Sequence, residues 1–138
     1  MKQKLLIFLS LCSLWTHTSC EDKLPGSKPE FFFGKWQTTG NIYTGFMGPS
    51  FVIGTYWETY ELTKKGGSFT RLEYITDENK YRDPDVEKLA DWSYDGKVIY
   101  FRDKNGASWN ESVYRITPDS LLLGSGPTAY FVYIRIND

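Results

Sequence analysis

The side chains that most often carry chemistry are crowded into the first twenty positions. The chain has 138 residues, two cysteines and one histidine. These are Cys12, Cys20 and His17. Lys2 and Lys4 give the N-terminus a basic start, and an apolar run follows at 5–14. That run has the length of a signal-peptide core and is too short to span a bilayer. Thr18 and Ser19 are the small residues a signal peptidase accepts before its cut. Cleavage there makes residues 1–19 a signal peptide, discards Cys12 and His17, and leaves Cys20 first, with its thiol available for lipid. A mature chain without histidine or a free thiol cannot run Ser–His or Cys–His nucleophilic chemistry, and cannot ligate zinc through those groups. It is therefore expected not to be an enzyme, and to need no metal and no cofactor.

Thr18-Ser19-Cys20 resembles a lipobox, the processing site of bacterial lipoproteins. The resemblance implies a lipid on Cys20 and a place in the bacterial cell envelope, at the periplasmic or outer-membrane face, with the membrane as one partner. After Cys20 comes a polar stretch, EDKLPGSKPE, with two prolines and a glycine. Residues 20–30 thus read as a lipidated cysteine and a flexible tether. Residues 31–138 form the folded domain. Cleavage leaves 119 residues with 14 Lys and Arg against 17 Asp and Glu, a charge of −3. That balance offers no basic surface for nucleic acid.

Carboxylates, tyrosines and an aromatic surplus remain. Tyr56, Glu58, Tyr60 and Leu62 alternate onto one face of a strand-like run. If Tyr60 and Leu62 point inward, Glu58 does too, and it then needs hydrogen-bond partners. Asp83-x-Asp85-x-Glu87 lacks the glycine and the distal glutamate of a calcium loop and reads as a helix start. Asp119-Ser120-Leu121 resembles a short acceptor pattern for bacterial O-glycosylation.

The elements that must position these groups are short strands separated by turns. Strand-like runs cover 36–47, 51–63, 68–76, 90–94, 97–101, 109–117, 121–124 and 128–136. Lys64-Lys65-Gly66-Gly67, Asp95-Gly96, Asn105-Gly106 and Gly126-Pro127 mark turns between them. A two-residue Asp95-Gly96 loop of type I′ pairs Trp92 with Ile99 and Ala90 with Phe101, and puts all four on the interior face. Asp83 before Pro84 predicts an N-cap and a helix of about two turns, with Val86, Leu89 and Ala90 on one side. Eight strands with short connections predict an all-β domain, an antiparallel up-and-down barrel with one short helix.

Gly34-Lys35-Trp36 at the head of the first strand resembles the lipocalin signature, and Arg135 lies in the last strand. The blocks Tyr60-Glu61-Leu62, Asp91-Trp92-Ser93-Tyr94-Asp95-Gly96 and Tyr114-Arg115-Ile116 are similar to those of lipocalin-like domains of bacterial lipoproteins. The resemblance implies a lipocalin-like eight-stranded barrel closed at one end by Gly34, Trp36 and Arg135. It implies a small apolar or amphipathic ligand inside. The expected binding residues are Tyr43, Phe46, Glu58, Tyr60, Trp92 and Phe101, with Tyr43, Phe46 and Met47 on a lid between the first two strands. The alternative is an interaction or inhibitor module that meets an envelope protein through its outer surface and loops.

Overall fold

The computed structural model describes residues 23–45, 50–126 and 129–137. A 3-10 turn at Glu30–Phe32 leads into β1 (Gly34–Tyr43), β2 (Val52–Thr63), β3 (Gly66–Ile75), β4 (Lys80–Tyr81), β5 (Asp85–Tyr94), β6 (Val98–Asp103), β7 (Ser108–Ile116), β8 (Ser120–Gly126) and β9 (Ala129–Ile136). Every pairing is antiparallel. β1 bonds to both β2 and β9, and β2 bonds to β3, so the sheet closes. The ring contains eight strands in meander order, and β4 is a two-residue addition to β3. The all-β antiparallel barrel is therefore the fold.

Period-two alternation builds the inside. Trp36 on β1 faces Tyr60 on β2, which faces Phe69 on β3. On β9, Tyr133 and Arg135 point inward while Tyr130, Val132 and Ile134 are exposed on the other side. One half of the barrel is packed solid with Phe32, Trp36, Leu62, Trp92, Ile99, Phe101, Leu121 and Leu123. A side chain of this size contributes about 1.5–3 kcal/mol by leaving water. No cysteine follows Cys20, so such packing, with the strand hydrogen bonds, holds the domain.

Three expectations are corrected. Residues 83–90 are not a helix. Asp85–Tyr94 is one strand, paired with β3 and β6. Without it the edge of β3 would be unpaired and the barrel open. Of the three residues assigned to a helical face, only Leu89 is buried; Val86 and Ala90 are exposed. Second, the tether region is not all free. Ser27 and Tyr94 exchange backbone hydrogen bonds of 3.0 and 2.7 Å, Ser93 Oγ donates to the Pro25 carbonyl, and Lys28 pairs with Asp91. Leu24 is buried. The apolar and hydrogen-bonding capacity of this stretch is used against β5. Third, the β5–β6 hairpin is displaced by two residues: Trp92 faces Phe101 and Tyr94 faces Ile99. The turn centres on Gly96 and Lys97, and Gly96 alone has positive φ, 104°. That is the pattern of a type II′ loop rather than I′. Asp95 Oδ1 accepts from the Lys97 and Val98 amides at 2.8 Å each, which fixes this alternative. A two-residue slip preserves faces, so Trp92, Ile99 and Phe101 still point inward, whereas Ala90 falls at the register shift between Leu89 and Asp91 and is exposed.

Candidate functional site

The two ends of the barrel differ, and the difference starts at Trp36. Its indole N–H donates to the Phe32 carbonyl at 2.8 Å. The Arg135 guanidinium carbon lies 4.0 Å from its ring centre. Arg135 also donates from Nε to the Pro118 carbonyl at 2.6 Å, from Nη1 to Phe33 at 2.6 Å and from Nη2 to Phe31 at 2.8 Å. One side chain thus ties the 3-10 turn, the β7–β8 turn and β9 together under the indole. Gly34 has φ of 124°, and a Cβ there would come within 2.7 Å of Arg135 Nη1, so only glycine fits. Phe32 seals this end against Trp92 and Tyr94, at ring separations of 5.8 and 4.9 Å. An apolar hollow of about 620 Å³ lies outside it, lined by Phe31, Ile116, Pro118 and Arg135. Its one cationic group is already spent on three carbonyls and on Trp36.

Above the sealed half lies an aromatic layer. Tyr60 and Phe101 stack at 4.8 Å and 13°, and Phe101 and Trp109 at 5.3 Å and 27°. Phe69 and Tyr133 flank Tyr60 at 4.9 and 5.5 Å. This layer floors a cavity of about 450 Å³ toward the other end, lined by Tyr56, Glu58, Tyr60, Phe69, Arg71, Glu87, Trp109, Glu111, Phe131 and Tyr133. The register explains the company: Glu58 faces Arg71 across β2 and β3, and Phe101 faces Trp109 across β6 and β7.

The polar wall is an organised network. Arg71 donates to Glu58 at 2.6 Å and to Glu73 at 2.9 Å, and its guanidinium sits 4.3 Å from the Tyr56 ring centre. Tyr133 donates to the second Glu58 oxygen at 3.2 Å. Both oxygens of Glu58 are therefore engaged, which is how a carboxylate is tolerated inside the barrel. Tyr56 lies across Gly40, where an added Cβ would stand 2.5 Å from the phenol oxygen. The absent side chain there makes room for the ring that carries Arg71.

Titration follows this layout. Burial, and then the charge of Glu58, raises the Glu111 carboxyl above its usual range. Burial pushes the Tyr60 phenol up, against the opposing hydrogen bond from Trp109. Tyr133 is raised by burial first and then by the acidic groups around it. Both phenols stay neutral, so Tyr133 remains a donor to Glu58 and Tyr60 an acceptor from the Trp109 indole at 3.4 Å.

Comparison with protein-family models, with curated proteins and with solved structures finds no match.

Of the residues predicted to bind a ligand, Glu58 and Tyr60 line the cavity. Trp92 and Phe101 do not, which corrects the expectation that a ligand's apolar body rests on them. Both are fully buried, Trp92 with its indole donating to the Thr63 carbonyl at 2.8 Å. Phe101 supports the floor from beneath. Tyr43 is exposed at the end of β1 and is not part of the lining. Phe46, Met47 and Cys20 lie outside the described residues. Phe69, Arg71, Glu87, Trp109, Glu111, Phe131 and Tyr133 are not singled out as binding residues by the sequence. A signal existed for one of them: a two-residue Lys64-Lys65 loop pairs Thr63 with Gly66 and therefore Glu58 with Arg71.

Proposed function

We propose that the chain is a lipid-anchored protein of the bacterial cell envelope that binds a small amphipathic molecule in the unsealed end of its barrel. The observation that carries this reading is the 450 Å³ cavity with an aromatic floor and a polar wall. A purely structural barrel of this size would fill that volume with side chains, as its other half does. Small-molecule sites combine apolar surface with a few convergent polar groups, and this lining has both. Glu58 is held on both oxygens by Arg71 and Tyr133, which makes it a fixed part of the polar wall. The anchoring part rests on Thr18-Ser19-Cys20 and on the apolar leader.

Mass spectrometry of the protein purified from its own host tests both parts. Under denaturing conditions the expected mass begins at Cys20 and includes acyl chains; an unmodified Cys20 refutes the anchor. Under native conditions an additional small molecule is expected, and it should be lost from a Trp109→Ala variant. A ligand retained equally by that variant refutes the site.

A second reading, contact with an envelope protein, is supported by one feature. Tyr114, Tyr130, Val132 and Ile134 are exposed together on the outer face of β7 and β9, with the two tyrosine rings 6.1 Å apart. Outward apolar residues in such a group suit a docking surface. Val132→Glu should then abolish co-purification of a partner while leaving the cavity unaffected.

A further inference from the structure

The cavity is lopsided in charge. Its lining contains three carboxylates, Glu58, Glu87 and Glu111, and one guanidinium, Arg71. Arg71 serves one side only: it stacks on Tyr56 and bonds Glu58 and, behind it, Glu73. Glu73 in turn takes Arg82 at 3.4 Å. Across the lining, β7 contributes Trp109 and Glu111 and β9 contributes Phe131, and among the described lining residues no second cation accompanies them. Glu87 adds a carboxylate from β5, where it pairs with Phe69 on the Arg71 strand. Tyr56 with Arg71 and Glu58 is thus an internal example of what this lining holds: a planar cation against a ring and a carboxylate.

We propose that the occupant of the second side is the cationic head of a small amphipathic molecule, an amine or quaternary ammonium. The head sits beside Glu111 against Trp109, with Glu87 adding negative potential from β5, and the apolar body rests on Tyr60, Phe69 and Tyr133. This rests on the ligand-binding reading above and names the class of ligand. The physical case is one of sign. Aromatic faces carry negative potential and attract cations. A neutral hydroxyl head could give Glu111 one hydrogen bond but no opposite charge, and an anionic head would strip its water and repel it, so a cation compensates the desolvation best. An anion would meet Arg71 only where Glu58 and Glu73 already occupy it. A bare divalent metal is a poorer occupant. Among the described residues no three Asp, Glu, His or Cys side chains converge tightly enough to hold one. Hard cations also want oxygen ligands rather than ring faces.

The test is a matched series on the full chain: phenethylamine, 2-phenylethanol and phenylacetate, which share a ring and differ in the charge of the head. Isothermal titration calorimetry at pH 7 and low salt reads the affinities. The amine should bind at least tenfold more tightly than the alcohol, about 1.4 kcal/mol, and phenylacetate should give no measurable binding. Glu111→Gln should cut amine affinity about tenfold and leave the alcohol unchanged. Glu87→Gln, at an exposed position, should do the same more weakly; it guards against an effect of folding. Equal binding of amine and alcohol would overturn the cationic class while leaving the cavity reading intact. Tightest binding of phenylacetate would overturn it in favour of Arg71. An amine preference that both variants keep would refute the placement. Failure of all three probes to bind would count against the cationic class and the cavity reading together.

Discussion

At the scale of single residues, Glu111 is the informative one. Its carboxyl is raised by burial and by the nearby charge of Glu58. A group whose folded-state pKa lies above its unfolded value stabilises the fold below the unfolded pKa and loses that contribution as pH rises through the folded one. At pH 7 ionised Glu111 is therefore a cost. Glu111→Gln should raise the midpoint of chemical denaturation at pH 7. The gain should stay under about 1 kcal/mol, because water screens a half-buried group, and it should vanish below about pH 4, where the carboxyl is protonated in both states. A residue kept against stability is the signature of a working site. If the variant is instead less stable at pH 7 and the difference persists in acid, Glu111 is a structural acceptor and the cavity loses its best-argued member.

At the scale of elements, what was legible followed the physics of burial. Strands with a dry inward face alternate cleanly: Tyr60 and Leu62 on β2, Leu121 and Leu123 on β8, Trp92 beside Ile99 and Phe101. β5 was misread because its first half faces the wet end. Asp85 and Glu87 occupy inward positions opposite Arg71 and Phe69, so charge stands where apolar residues would announce a strand. Asp83 and Pro84 then imitate a helix start. The hairpin at Asp95-Gly96 is legible, but its loop lies one residue later and is of another type, because the side-chain bonds of Asp95 choose the loop and composition does not show them. The closing motif is visible as Gly34, Trp36 and Arg135, whereas the three carbonyls that Arg135 collects belong to two segments far apart in sequence, Phe31–Phe33 and Pro118. That predicts a graded loss. Arg135→Ala should destabilise by about 2–3 kcal/mol, from stranded acceptors and lost stacking. Arg135→Lys should recover only a fraction, since an ammonium cannot span the same fork. Denaturant titration measures both; a lysine replacement as stable as the parent would mean that charge alone matters there.

At the scale of the whole molecule, one barrel contains two media. The sealed half is dry: the indole donors of Trp36 and Trp92 reach backbone carbonyls at 2.8 Å each. The other half is polar and hollow, and its indole, Trp109, has only a long 3.4 Å bond to a phenol. Trp57 stands apart, packed at 6.0 Å against Tyr81 beside β4. The tryptophans of the domain therefore report on separate regions of the molecule. Their indole N–H signals in a proton–nitrogen NMR spectrum, followed while phenethylamine is added to the full chain, test the central claim most directly. Occupation of the cavity should move the Trp109 signal in a saturable way and leave Trp36, Trp92 and Trp57 essentially still. A Trp109 signal that stays fixed while the amine is added, or a shift confined to Trp57 on the outside, would contradict binding within the barrel.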